Sequence, residues 1–341
     1  MNVKTLTLTV AATAAATFSA YAEPYRVTVP VSAEANGTFA RLTDYDTGAV
    51  LDSVKVADGV AVFTGEIDEP ILARVTVEGE RLPGFILESG SIARGKEGDF
   101  FGSMLNDQLR DFGRQMQAIS AEFKSAADDA QREKIYSRYT AALDSATTAN
   151  ADNVLGLFYF LQGDAAQLDA PALRQQLTRY PDFAKSKRVQ GMLANAEKRE
   201  ATSPGHKYLD FEVAYDGKTT KLSDMINPEH YTLVDFWASW CGPCIRQTKV
   251  LKDLYSKYRD KGLDVVGVAV WDEPDDTKRA IGQHSLPWPC IINAGQIPTD
   301  LYGITGIPCI ILIAPDGTIL SRDKQGDELV ADVEAALGLA K

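Results

Sequence analysis

Positive charge is scarce in this chain: 35 lysines and arginines stand against 47 aspartates and glutamates, a net charge of −12. Nucleic acid is therefore not expected as a partner, because phosphate binding needs clustered basic side chains; solubility accounts for the acidic excess. Long apolar runs are missing after the N-terminus, so the mature chain is not expected to cross a bilayer. Histidine is limited to His206, His230 and His284, at no metal-ligand spacing. Cysteine is limited to four residues, of which only Cys241 and Cys244 form a close pair. Half a zinc site would read this way, but zinc needs four ligands and no second paired motif exists, so neither metal nor other cofactor is expected. Internal repeats and low-complexity tracts are also absent from the mature chain. What remains is ordinary for a folded protein, with 45% hydrophobic and 24% charged residues. A length of 341 residues exceeds what one core usually serves and implies two or three units.

In residues 1–22 the only charged side chain is Lys4, and Leu6 to Phe18 is composed of Ala, Thr, Leu and Val up to the closing Phe. The run is too short to span a bilayer, and Ala20-Tyr21-Ala22 offers small residues where a signal peptidase requires them. It is expected to be a signal peptide, with the mature protein starting at Glu23 in a periplasm or cell envelope. No cysteine at that junction supports a lipid anchor.

Residues 23–100 alternate in the manner of short antiparallel strands, as at Val27, Val29 and Val31, with a turn signal at Asp58-Gly59. A β-sandwich-like N-terminal domain is expected. Residues 101–200 turn helical: Leu105, Leu109, Phe112 and Met116 recur at three- and four-residue spacing behind Ser103, a candidate cap. Pro171 and Pro181 divide this middle segment into several helices. Leu155, Phe158 and Tyr159 at helical spacing are assigned to packing. Ala201-Thr202-Ser203-Pro204-Gly205 reads as a linker, after which strand and helix signals alternate through 201–341. Leu233–Trp237, Leu263–Val270 and Ile310–Ala314 are candidate strands of a sheet buried on both faces. Helices are expected after Cys241, before His284 and from Asp327 to Leu337.

Trp240-Cys241-Gly242-Pro243-Cys244 follows one of these strands and opens a helix. Cysteines so spaced can close a disulfide across one helical turn. Free N–H groups and the partial positive charge of a helix N-terminus stabilise a thiolate on Cys241, which makes it the attacking sulfur. Cys244, one turn inside, is placed to resolve the resulting mixed disulfide. Pro243 stiffens the first turn, where its missing N–H is tolerated.

The stretch Val234-Asp235-Phe236-Trp237-Ala238-Ser239-Trp240-Cys241-Gly242-Pro243-Cys244 resembles the active-site segment of thioredoxins. The insertion between Val270 and Gly303, with Trp288-Pro289 inside it, resembles extracytoplasmic TlpA and ResA type reductases and their peroxiredoxin-related cousins; the likeness covers about residues 205–341. It implies an α/β thioredoxin fold there. It also implies that Asp235, six residues before Cys241, is the buried acid that relays a proton to and from the resolving cysteine. Gly306-Ile307-Pro308 resembles the cis-proline loop that binds a partner's extended backbone, so Trp240, Gly242, Pro243, Ile307 and Pro308 are the expected substrate surface. Upstream, Asp52-Ser53, Gly59 to Phe63, Pro70 and Phe85 to Gly90 resemble a β-rich domain that often precedes thioredoxin-like domains in envelope proteins.

The sequence also departs from the family. Many thioredoxins carry a lysine near the buried acid on the strand matched by Val265–Val270; here there is none. Cys309 replaces the usual threonine after Pro308, potentially beside the disulfide, where a third thiol could trap partners or be oxidised. Cys290 and Cys309 are expected as buried small apolar residues in preference to a second bridge.

The implied activity is reduction or isomerisation of disulfides in proteins. Gly-Pro between the cysteines resembles reducing thioredoxins, so an oxidising compartment would require a membrane thiol carrier as electron donor. A thiol peroxidase is a second reading, against which Ala238 stands where peroxiredoxins have threonine. A partner-binding module with a structural disulfide is a third.

Overall fold

The computed structural model describes residues 22–339, so the signal-peptide reading lies outside the described residues except at Ala22. Its contacts divide the chain into two compact units, one up to Phe160 and one from Leu161 onward.

Among the described residues of the first unit, nine strands form two sheets: β1 (Glu23–Pro30), β2 (Phe39–Asp44), β3 (Val50–Lys55), β4 (Val60–Ile67), β5 (Ile71–Val77), β6 (Glu80–Arg81), β7 (Phe85–Leu87), β8 (Gly90–Arg94) and β9 (Phe100–Phe101). One sheet has the order β4-β1-β8-β9; the other runs β3-β2-β5-β6, with β7 also on β5. Both contribute to one apolar core, in which Val27 and Val29 from β1 meet Leu42, Val75 and Phe85 from the second sheet. The period-two alternation of β1 is the cause, since one face of each sheet supplies that core. At the Asp58-Gly59 turn both residues adopt positive φ, 53° and 69°, as a type I′ turn requires. The strands it joins nevertheless diverge, β3 pairing with β2 and β4 with β1.

Helices α1 (Met104–Lys124), α2 (Asp129–Ala149) and α3 (Val154–Gln162) follow. Ser103 occupies the N-cap of α1, but its side chain does not cap the helix. Glu88 does so from the strand region: its Oε1 accepts from the backbone N–H of Leu105 at 2.8 Å and of Asn106 at 3.2 Å, and from Ser103 Oγ at 2.7 Å. A carboxylate suits the positive end of a helix. Fully buried Asn106 in turn pairs with both backbone groups of Ile86, accepting from its N–H at 3.0 Å and donating to its carbonyl at 2.6 Å.

The second unit opens with α4 (Ala170–Arg179), which carries Pro171 in its first turn, and α5 (Lys187–Ala201). The 201–205 segment is anchored rather than loose: Thr202 is fully buried and its Oγ1 donates to the Tyr302 carbonyl at 3.3 Å. Arg322 bonds both Thr202 and that carbonyl. Beyond it come β10 (Glu212–Tyr215), β11 (Lys218–Lys221), β12 (Tyr231–Trp237), α6 (Gly242–Tyr258), β13 (Leu263–Val270), α7 (Pro274–Gln283), β14 (Cys290–Gly295), α8 (Ile297–Tyr302), β15 (Cys309–Ile313), β16 (Ile319–Arg322) and α9 (Gly326–Ala336). β10 and β11 form a separate ribbon, and the main sheet has the order β14-β13-β12-β15-β16. β13 runs parallel to β12 and β14, whereas β15 is antiparallel to β12. This is a thioredoxin fold.

Side-chain parity divides the sheet into two cores. Leu233, Val265 and Ile310 face Leu251 and Leu254 of α6 and Leu329 of α9. Val234, Phe236 and Val268 face the side of Tyr302 and Phe211. No described helix is long and apolar enough to cross a membrane.

Replacing Glu88 with Ala strands the first N–H groups of α1 in a buried position and is expected to destabilise the first unit by about 2–3 kcal/mol. Urea unfolding followed by circular dichroism measures this as a lowered midpoint of that unit's transition, and Glu88→Gln should lose less.

Candidate active site

β12 is buried from Thr232 to Trp237 and lies between β13 and β15, so its C-terminal end is fixed on both sides. The chain leaves it through Ala238 to Trp240 and enters α6 at Cys241, whose sulfur is the N-cap group and accepts the Cys244 backbone N–H at 3.2 Å. The two cysteines are joined in a disulfide, with Cα atoms 5.3 Å apart. Pro243 lies in the first turn of α6, and Gly242 and Pro243 are exposed beside the nearly buried sulfurs. Trp240, 61% exposed, forms the outer wall.

The loop before Cys241 is held by a residue with no local sequence signal. Asp272, just past β13, accepts from Ser239 N–H at 2.7 Å, Ser239 Oγ at 2.8 Å and Thr277 Oγ1 at 2.8 Å. Its neighbour Trp271 adopts φ 53° and presents its carbonyl to the Trp240 indole N–H at 2.9 Å. A positive φ on an aromatic residue is costly, and here it turns the chain between two of these anchors. Opposite the cysteines, the Ile307–Pro308 peptide is cis, and the Ile307 carbonyl oxygen stands 3.8 Å from Cys241 Sγ.

Asp235 lies on β12 in register with Gly267 of β13 and Ile310 of β15. It is 3% exposed, and its Oδ1 has no hydrogen-bond partner. Burial raises its pKa from 3.8 to about 7, since the charged form is penalised without water. The sheet thus places Asp235 two residues from Trp237, which shares an apolar cluster with Cys241 and Cys244.

Of the other two thiols, Cys309 does not take the place beside the disulfide that its position after Pro308 suggested, and Cys290 is half-buried. Cys309 is paired with Phe236 and belongs to the core on the opposite face of the sheet, so it is not positioned beside the disulfide. Cys290 is the one that packs against the Trp237–Cys241–Cys244 cluster. Both are unbridged; β14 and β15 are separated by two strands, three spacings of about 4.8 Å each. Burial pushes the Cys290 thiol up to about 12, with the Asp235 charge adding to it, and burial likewise holds Cys309 well above its ordinary range. Both stay protonated and behave as apolar groups. Among the described residues no cluster of three or more His, Cys, Asp and Glu could hold a metal ion.

Residues 204–322 match the AhpC/TSA family. The thiol-disulfide oxidoreductase ResA of Bacillus anthracis is 26% identical over 133 residues, which are 39% of this chain and 75% of that protein. The ResA of Halalkalibacterium halodurans is 33% identical over 88 residues, 26% of this chain and 49% of that protein. Among solved structures, the thioredoxin domain of a thiol-disulfide oxidoreductase from Bacteroides vulgatus is 28% identical with a TM-score of 0.36, covering 40% of this chain and 98% of that one. The C-terminal part of the chain is a thioredoxin-like domain of the AhpC/TSA kind, and its homologues are thiol-disulfide oxidoreductases of the ResA type.

The Asp235 carboxyl has a folded pKa above its unfolded one, so its stabilising contribution is complete below about pH 4 and lost as pH rises through about 7. The full effect is of order 4 kcal/mol. Asp235→Asn should therefore leave stability nearly unchanged at about pH 4 and raise it by some kcal/mol at about pH 8. Urea midpoints of the oxidised protein at the two pH values test this, and an identical pH dependence in both proteins would contradict it.

Proposed function

We propose that this thioredoxin-like thiol-disulfide oxidoreductase of the ResA type acts outside the cytoplasm as a protein-disulfide reductase or isomerase, with Cys241 as nucleophile and Cys244 as resolving thiol. The observation that carries the reading is the cysteine pair itself: Cys241 caps α6, with the Cys244 N–H at 3.2 Å on one side and the Ile307 carbonyl at 3.8 Å on the other. In the reduced protein, the N–H and the positive helix end favour a Cys241 thiolate. The exposed Trp240 and the cis Ile307–Pro308 turn flank it and offer an extended peptide an apolar surface and backbone groups.

The Cys241 thiolate attacks one sulfur of a substrate disulfide, forming a mixed disulfide and expelling one substrate thiolate. Cys244, deprotonated by the Asp235 carboxylate, then attacks the Cys241 sulfur. The Cys241–Cys244 bond closes and the second substrate thiolate leaves. Two electrons pass from the dithiol to the substrate, and an external dithiol, supplied by a membrane thiol carrier, returns them. A group with a pKa of about 7 suits this work, since it gives and takes a proton near neutrality at similar cost.

The AhpC/TSA match favours a second reading, a thiol peroxidase with an antioxidant role. The expected results separate the two. Protein-disulfide reductase activity on insulin with dithiothreitol should fall to background in Cys241→Ser, while Asp235→Asn should slow turnover by roughly 10- to 100-fold. Cys244→Ala should accumulate mixed disulfides on Cys241, and their identification in the native host names substrates and donor. Full insulin activity in Cys241→Ser refutes the reductase reading. Rapid peroxide consumption with no insulin reduction supports the peroxidase instead, and a Cys241–Cys244 bond resistant to strong reductant supports a binding module.

A further inference from the structure

Three buried polar atoms near the site have no hydrogen-bond partner: Asp235 Oδ1, Trp237 Nε1 and Trp288 Nε1. Trp237 is 2% exposed and Trp288 5% exposed. Stranding polar groups in an apolar interior is costly, and three in one neighbourhood need a physical reason.

Gly267 shows where they meet. A Cβ on this glycine would lie 2.7 Å from Cys290 Sγ, 3.1 Å from Trp237 Nε1 and 3.5 Å from Trp288 Nε1. Only glycine lets these three groups converge on the backbone of β13. Asp235 is the register partner of Gly267 on β12, one strand spacing of about 5 Å away, and shares a face with Trp237 two residues on; its charge acts on Cys290 at the same spot. Trp288 is fixed from behind by an edge-to-face contact with Tyr255, and the Pro289 carbonyl accepts the Gly267 N–H at 3.0 Å. The Trp288 indole therefore cannot readily turn elsewhere.

We propose that Trp237 and Trp288 are positioning residues for the proton step at Asp235, their indole N–H groups converging before Gly267 to stabilise the ionised carboxylate. The inference rests on the reading of Asp235 as the proton carrier. Neither indole N–H is hydrogen-bonded to Asp235 in the structure, and ionisation would strengthen the attraction that draws them toward the carboxylate. The other titratable groups facing the row are thiols, Cys290 from β14 and Cys244 from α6 once reduced, while Cys309 of β15 lies on the other face of the sheet. Burial of Cys290 and Cys309 keeps them protonated, so neither competes for the role of anion. Burial is the cause of the raised Asp235 value, with no cation contributing. On this proposal the indole N–H dipoles are what opposes that rise.

The test uses the oxidised full-length mature protein, in which Cys241 and Cys244 carry no protons. Carboxyl carbon NMR gives the Asp235 midpoint, and nitrogen-labelled tryptophan gives four indole signals from the four tryptophans. The Trp237 and Trp288 indole resonances should shift with the Asp235 midpoint and stop shifting in Asp235→Asn. Trp240, whose N–H is already bonded to the Trp271 carbonyl, is the reference. Trp288→Phe, which removes the donor and keeps an aromatic ring, should raise the Asp235 midpoint by about one pH unit. A purely structural role predicts the opposite sign or no change, because water entering the smaller packing would lower the midpoint. Indole signals that stay flat through the Asp235 titration, or an unchanged or lowered midpoint in Trp288→Phe, overturn the proposal. Insulin reduction that persists in Cys241→Ser would overturn the reductase reading alone, since these midpoints are measured without turnover.

Discussion

β12 is hydrogen-bonded along both edges and covered on both faces, and it passes within four residues from the most buried part of the second unit to the first turn of α6. That junction is the constraint on which the site depends. A strand fixed on both sides cannot shift register without moving every side chain to the wrong face. Cys241 is therefore delivered to one place, where the free N–H groups of a helix begin. Asp272 and the Trp271 carbonyl fasten the short loop from the neighbouring strand's end, so the approach to Cys241 is set by β13 as much as by β12.

The electrostatics follow from where water is excluded. Asp235 and Cys309 are buried on inner strands and Cys290 is half-buried on the edge strand β14, and burial raises the proton affinity of each. Negative charge is costly at these positions and favourable at the helix terminus. The interior thus stores a proton on Asp235 while the reactive sulfur stands where a thiolate is tolerated. This separation puts a carboxyl of raised proton affinity and a helix-terminal sulfur on one short segment of chain, as the proposed proton carrier and nucleophile require.

Much of this was legible in residue order. Alternation in β1, the apolar runs of β12 and β13, the turn at Asp58-Gly59 and the helix start at Cys241 each follow from local patterns of side-chain type, and the structure forms those elements at those places. Capping of α1 was not legible: Ser103 has the right type, but Glu88 reaches the helix from another element and supplies a stronger acceptor. The 201–205 segment has linker composition, yet Thr202 is buried because Tyr302 and Arg322, far along the chain, offer it partners. Asp272 looks like any acidic residue before a helix until the fold brings Ser239 to it.

By itself the sequence determined the chemical inventory: a close pair of thiols at a helix start, an acid six residues earlier on an apolar strand, and a proline turn suited to face them. The thiol pair and the acid are short-range facts, encoded in spacing and residue type; that the proline turn faces them is what the resemblance to thioredoxins implied. Only the tertiary structure decided which thiol borders the site, placing Cys290 against the active-site cluster and Cys309 on the other face of the sheet. It alone brought Trp288 to Gly267 and Trp237. The reason is parity and pairing. Side-chain alternation within a strand fixes which residues share a face, but which face meets the site depends on strand order and register between segments distant in sequence.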